Sequence, residues 1–208
     1  MRIPVASEGW PFILPLATAA CIMAWMGWFA AAAVFGVAAL ACLGFFRDPE
    51  RTPPEVPGAV LAPADGRVMA VVEATDPWVG EAVRVSIFLS PLDVHVNRSP
   101  IAALVKNVEH TTGGFVAAYR PEASEGNERC TVSLEGETAR VAVKQIAGVV
   151  ARRIVCRVQP GDALQAGERF GLIRFGSRTD LIVPRSTAMR VTVGDRVRGG
   201  ESVMGVLR

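Results

Sequence analysis

Charge is what the N-terminal end of this sequence lacks. Residues 11–46 contain no Asp, Glu, Lys or Arg, so this stretch cannot form an ordinary solvated surface. Over the whole chain the formal net charge is only +2, too little to favour nucleic acid as a partner. The Cys residues are Cys21, Cys42, Cys130 and Cys156, with no C-x-x-C spacing among them. That excludes a thiolate zinc site and a disulfide framework, and it fits a reducing compartment. No cluster of His, Asp and Glu at ligand spacing takes their place, so no metal is expected. Imidazole chemistry near neutral pH is confined to His95 and His110. The only lysines are Lys106 and Lys144.

The uncharged run is 36 residues long (46 − 10). As one helix it would measure roughly 54 Å at about 1.5 Å per residue, against a hydrocarbon core of ~30 Å. Two helices fit better, 12–26 and 29–43, turning near Gly27-Trp28. Arg2 lies at one end and Arg47 and Arg51 at the other, which suits a hairpin with both ends on the cytoplasmic side. Trp10, Trp25, Trp28, Phe45 and Phe46 suit interfacial depths. Three alternatives stand beside the hairpin. A signal peptide would be shorter, with a more basic start. Ala39-Leu40-Ala41-Cys42 is an imperfect lipoprotein-type cleavage box, and a single tilted span is the third. The expected organisation is a membrane-anchoring segment at 1–46, with residues 47–208 held at the cytoplasmic face of the cell membrane.

Residues 47–54 are a charged, Pro-rich linker that cannot continue a helix. Beyond it the pattern is β. Residues 60–72 read as strand, turn and strand, with Asp65-Gly66 as the turn. Val83, Val85 and Phe88 mark a further strand, and 100–108 another. Residues 111–127 read as loop, and 130–134 with 140–143 as a hairpin. Residues 145–158 fit either a bent strand or a short helix followed by a strand. A repeat then appears: Gly161-Asp162-Ala163-Leu164-Gln165-Ala166-Gly167-Glu168 returns 33 residues later (194 − 161) as Gly194-Asp195-Arg196-Val197-Arg198-Gly199-Gly200-Glu201. Its "Gly-Asp, apolar, Gly-Glu" pattern resembles the turns of biotinyl/lipoyl-type β-sandwiches. Ala62-Pro63-Ala64-Asp65-Gly66 is similar to their opening turn. The fold class expected is therefore mainly β, a biotinyl/lipoyl-like sandwich or barrel with an N-terminal membrane helical hairpin. Neither repeat carries a Lys to be modified, which argues against a carrier.

Phe175-Gly176-Ser177-Arg178-Thr179-Asp180 separates two apolar runs, 169–173 and 181–184, and reads locally as a turn between strands. Asp65 alone reads as a turn former. His95 lies in the polar segment Leu89-Ser90-Pro91-Leu92-Asp93-Val94-His95-Val96-Asn97-Arg98-Ser99-Pro100, whereas His110 has no supporting context.

Taken together, Ala-Pro-Ala-Asp65-Gly-Arg, the His95 segment and Phe-Gly176-Ser177-Arg resemble the phosphatidylserine decarboxylase family in its short form. Phe45-Phe46-Arg47-Asp48-Pro49 and Ala123-Ser124-Glu125-Gly126-Asn127-Glu128-Arg129 add to the resemblance, which runs from about residue 44 to the end. It implies a proenzyme that cuts its own Gly176–Ser177 bond, with Asp65, His95 and Ser177 matching an Asp-His-Ser triad. It implies a covalent pyruvoyl cofactor made from Ser177, and a β chain (1–176) and α chain (177–208) that stay together. Phosphatidylserine would condense with the pyruvoyl carbonyl as a Schiff base, lose CO₂ and leave as phosphatidylethanolamine. Longer members have H-x-x-H in the second motif, and here the second position is Arg98. Arg98 and Arg174 are the residues proposed to bind substrate. A homodimer through an exposed sheet edge is possible. The alternatives are a membrane-tethered adaptor without catalysis, and a pyruvoyl decarboxylase of a soluble amino acid.

Overall fold

The computed structural model describes residues 4–116, 126–148, 153–174 and 177–207. They fall into two compact units, Met1–Glu50 and Arg51–Arg208.

In the first unit, α1 (Trp10–Trp25) and α2 (Phe29–Phe45) pack against each other across a turn at Met26-Gly27. Phe46 is fully buried, stacked on Phe12 with ring centroids 5.7 Å apart and edge-on to Phe45 at 5.0 Å. Backbone bonds from Ala6 N–H to the Phe46 carbonyl and from Asp48 N–H to the Pro4 carbonyl, both 2.8 Å, tie the start of the unit to its end. Arg2 lies outside the described residues. The helices have 16 and 17 residues, or about 24–26 Å at 1.5 Å per residue. No helix among the described residues is long and apolar enough to cross a membrane. The expectation of membrane spans is therefore corrected. The two helices form where the sequence placed them, but each falls short of a ~30 Å hydrocarbon core.

The second unit is mainly β. Its strands are β1 (Ala59–Leu61), β2 (Gly66–Asp76), β3 (Gly80–Leu89), β4 (Val96–Arg98), β5 (Ala103–Thr111), β6 (Arg129–Glu135) and β7 (Arg140–Ile146). After these come β8 (Ile154–Cys156), β9 (Ala163–Leu164), β10 (Arg169–Ile173), β11 (Ser177–Pro184), β12 (Ala188–Met189), β13 (Arg196–Val197) and β14 (Val203–Val206). The large sheet has the order β13-β2-β3-β11-β7-β6-β5-β9. Strand alternation sends Val85, Ile87, Val132, Val143, Leu181 and Val183 into one core, each such burial contributing ~1.5–3 kcal/mol. Both edge strands, β9 and β13, are two residues long, which leaves little ladder for pairing copies. In the ambiguous 145–158 stretch, 145–146 end β7 and 154–156 form β8, while 149–152 lie outside the described residues.

The Gly-Asp repeat is a structural repeat with pseudo-two-fold symmetry. Two three-stranded sheets, β1-β14-β12 and β4-β10-β8, carry the same bulge: Val60/Leu61 sit opposite Gly205/Val203, as Asn97/Arg98 sit opposite Gly171/Arg169. Gly161 N–H and Val105 N–H exchange bonds with the Val105 and Asp162 carbonyls, as Gly194 and Val68 do with Val68 and Asp195, all at 2.8–2.9 Å. Across the pseudo-axis, Arg98 N–H donates to the Pro63 carbonyl at 2.9 Å and Leu61 N–H to the Pro100 carbonyl at 2.8 Å. Gly167 and Gly200 meet there, each with φ +78°, a conformation that costs glycine little and other residues more. The symmetry relates 58–68 and 188–207 to 95–105 and 155–173. It matches His95, whose carbonyl accepts from Ile173 N–H at 3.3 Å, with Gly58, whose carbonyl accepts from Leu207 N–H at 2.8 Å.

Candidate active site

Ser177 opens β11, a strand held between β3 and β7. It is fully buried opposite Leu89, and its Oγ has no hydrogen-bond partner among the described residues. Alternation points Ser177 and Thr179 the same way as the core residues Leu181 and Val183. Phe175 and Gly176 lie outside the described residues, so the bond before Ser177 is placed only from its C-terminal side. Ala123, Ser124 and Glu125 lie outside them too. Asn127 of that motif is fully buried, accepting from Val116 N–H at 2.8 Å and donating to the Ala147 carbonyl at 2.7 Å.

His95 reaches the same region by two routes. The β3 strand that pairs with Ser177 ends at Leu89, and a clamp follows at once. Ser90 N–H donates to Asp93 Oδ2 at 2.8 Å while Asp93 N–H donates to the Ser90 carbonyl at 2.9 Å. This turn presents the Asp93 carbonyl to His95 Nδ1 at 2.9 Å. A carbonyl only accepts, so Nδ1 carries the proton and Nε2, also buried, is the basic nitrogen of the neutral ring. The second is β10, whose last residue, Ile173, donates its N–H to the His95 carbonyl and precedes Ser177 by four positions in the chain. His95 and Asn97 alternate to one side of their segment, as do Ser177 and Thr179, and Asn97 Nδ2 donates to Thr179 Oγ1 at 3.2 Å. Asp93 and Asn97 had no role in the sequence reading, although Ser-Pro-Leu-Asp carries the spacing of such a clamp.

Asp65 is held by the linker and by the second Gly-Asp turn. Its Oδ2 pairs with Arg51 Nη2 at 2.9 Å, and its Oδ1 accepts from Gly199 N–H at 2.7 Å. Arg51 also pairs with Glu201 at 2.9 Å. The sequence placed Arg51 only in the charged linker, as a positive flank of the apolar run. Arg98 is buried at the pseudo-axis and donates from Nη1 to the Gly167 carbonyl at 3.0 Å. Arg174 is half-buried, with its N–H on the Arg153 carbonyl at 3.2 Å. His110 is exposed on β5, its Nε2 3.6 Å from Cys130 Sγ. A hydrogen bond with Cys156 and burial push the Cys130 thiol up, while the same bond draws Cys156 down to about 7. Among the described residues no group of His, Cys, Asp and Glu could hold a metal ion.

On the opposite face of β11, the Arg178 guanidinium grips Asp180 at 2.6 and 3.1 Å and Ser86 Oγ at 2.6 Å. Arg178 and Asp180 are 4% and 0% exposed. A buried ion pair is costly to break from one side. Asp180→Ala is expected to destabilise the protein by ~3–5 kcal/mol in urea unfolding, and the joint change Arg178→Met, Asp180→Leu by much less. A single-variant loss under about 1 kcal/mol would show that the pair does not anchor β11.

The body is mainly β, with a buried serine at the head of a strand inside the large sheet and a buried histidine whose Nδ1 is held by a backbone carbonyl. The model of the phosphatidylserine decarboxylase family matches residues 38–205. The phosphatidylserine decarboxylase proenzyme of Symbiobacterium thermophilum is 46% identical over 211 residues, covering 100% of this chain and 98% of that protein. The proenzyme of the same name from Desulfotalea psychrophila is 44% identical over 208 residues, covering 98% and 97%. That from Nitrosomonas europaea is 44% identical over 202 residues, covering 96% and 94%. The chain belongs to the phosphatidylserine decarboxylase family.

Proposed function

We infer that this chain is a proenzyme that cuts itself between Gly176 and Ser177 and then converts phosphatidylserine to phosphatidylethanolamine. The observation that carries this reading is identity of 44–46% over nearly the full length of proenzymes of that name.

Ser177 Oγ attacks the Gly176 carbonyl while His95 Nε2 takes the hydroxyl proton; the Gly176–Ser177 C–N bond then breaks, the proton passes to the leaving nitrogen, and Gly176 remains as an ester on Ser177 Oγ beside a free Ser177 amine. The Asp93 carbonyl fixes the tautomer and stabilises the imidazolium that results. Asp65 contributes a negative charge, held in place by Arg51 and Gly199. A base then removes the α-proton of residue 177, the ester oxygen leaves with Gly176 as a carboxylate, and water releases ammonia. The pyruvoyl group so made supplies an electron sink for decarboxylation. The residues present fit it: position 177 is buried, and Thr179, two residues on along the same face of β11, is bonded to Asn97, two residues from His95. Retention of the α chain follows from pairing, because β11 lies between β3 and β7, and β13 and β14 pair with β2 and β1. Arg98 and Arg174 are the cations proposed for the lipid phosphate or carboxylate, Arg174 lying three residues before Ser177 in the chain.

The hairpin supports a lipid substrate by dipping into one leaflet rather than crossing. Trp25, Phe29 and Leu40 are 88%, 74% and 67% exposed, an apolar surface suited to the bilayer. The paired, pseudo-symmetric halves are in keeping with a biotinyl/lipoyl-like sandwich. A cytoplasmic location and a homodimer belong to the same reading.

Mass spectrometry of the purified protein tests the central claim, with a pyruvoyl-blocked chain of residues 177–208 expected. Carbon dioxide should be released from phosphatidylserine and not from free serine. Release from free serine at an equal rate would point to a soluble substrate. Loss of vesicle co-sedimentation after Trp25→Ala, Trp28→Ala and Phe29→Ala tests the leaflet anchor, and unchanged sedimentation would refute it.

A further inference from the structure

Gln145, Asn97 and Thr179 form a buried chain that backbone cleavage does not use. All three are fully buried. Gln145 Nε2 donates to Asn97 Oδ1 at 2.8 Å, and Asn97 Nδ2 donates to Thr179 Oγ1 at 3.2 Å. They come from β7, β4 and β11, so three separate elements converge. The space for them is built in. A Cβ at Gly171 would stand 2.8 Å from Gln145 Nε2 and collide with the Val155 carbonyl.

One end of the chain is left over. Gln145 Oε1 is buried and has no hydrogen-bond partner among the described residues. Buried acceptors are seldom left empty, because nothing repays their lost hydration. Gln145 lies directly across from Thr179 in the β7–β11 ladder. Ser177, two residues earlier, is therefore its diagonal neighbour on the same face, a separation that a long side chain bridges. The hydrogen bonds all point from Gln145 toward Thr179, so the negative end of the aligned dipoles is Oε1. Because Nε2 is engaged with Asn97, Oε1 faces the other way.

We propose that Gln145 contacts the substrate, its amide oxygen receiving an N–H of the lipid's primary amine as that amine approaches residue 177. The assignment rests on the function inferred above and concerns the substrate stage, not self-cleavage. An amine or ammonium brings the donor the empty acceptor lacks. An amide oxygen orients that nitrogen without removing its proton, because an amide is not a base at neutral pH. Asn97 and Thr179 act through Gln145 and are positioning residues.

The test uses native protein, Gln145→Met and Gln145→Glu. Each is mixed with a short-chain phosphatidylserine in detergent micelles and cyanoborohydride, which fixes a captured amine as added mass on the 32-residue C-terminal chain (208 − 176). Gln145→Met is expected to cleave itself yet capture amine about tenfold less, the loss of one buried hydrogen bond. Gln145→Glu keeps an acceptor, and Asn97 can turn its amide to donate to it. Its capture should stay within about threefold of native. Native-level capture by Gln145→Met overturns the proposal. So does loss of cleavage in both variants with native secondary structure, which would put Gln145 in self-processing. Should Gln145→Met not fold, capture by Gln145→Glu below about a tenth of native overturns it. A native protein that neither cleaves nor captures amine would remove the functional reading itself, a distinct failure.

Discussion

Ser177→Ala is expected to leave a single intact chain of 22.1 kDa on a denaturing gel, with no fragment beginning at residue 177 and no decarboxylation. The structure makes this a clean test. Ser177 Oγ makes no hydrogen bond among the described residues, so removing it deprives no buried partner. The fold should lose less than about 1 kcal/mol, and β11 keeps its backbone ladder to β3 and β7. What disappears is the only oxygen that could attack the preceding carbonyl. An unchanged melting temperature with complete loss of cleavage would assign the effect to chemistry. A fragment beginning at residue 177 in the variant would refute the cleavage site.

The family was legible because three short motifs in one order are specific where each alone is weak. The helices were legible from the missing charge and the Gly27-Trp28 break. Their inability to span was not, because the run of 36 uncharged residues does not say where a helix stops. The structure ends α1 at Trp25 and buries Phe46 beneath Phe12 and Phe45. The Gly-Asp repeat was visible in one dimension, since glycine and aspartate turns tolerate few substitutes. Its two-fold meaning was not, because β1 and β4 have no similarity in sequence: Ala59-Val60-Leu61 answers Val96-Asn97-Arg98. The same divergence explains the site. One half carries His95 and Asn97 where the other carries Gly58 and Val60, so the polar wall arises on one side of the pseudo-axis only. Gln145 opened a stretch of ambiguous pattern, Asn97 lay in the polar segment around His95, and Thr179 lay in a sequence that reads locally as a turn. Their convergence depends on register among β4, β7 and β11, which the linear pattern does not specify. Arg178-x-Asp180 did hold a usable signal, as two opposite charges on one face of an apolar strand.

His95→Ala carries the second large effect. The imidazole must accept the Ser177 proton while its other nitrogen is fixed, and the Asp93 carbonyl at 2.9 Å from Nδ1 fixes it. General-base assistance of this kind contributes ~10²–10⁴-fold, so cleavage followed over time on a gel should slow by that factor. Gln at 95 separates the base from a mere spacer. Its amide can still donate to the Asp93 carbonyl, but it has no basic lone pair, so His95→Gln should cleave no faster than His95→Ala. Recovery of cleavage in His95→Gln would sink the base assignment. Asp65→Asn sharpens the comparison. The Asp65 carboxylate binds Arg51 and Gly199 N–H, while the histidine is already oriented by a backbone carbonyl. Its loss should therefore slow cleavage less than His95→Ala does, and an equal or larger loss would make Asp65, rather than the Asp93 carbonyl, the group on which the imidazole depends. Asp93→Ala, which frees Ser90 N–H and loosens the turn presenting that carbonyl, should slow cleavage by about tenfold.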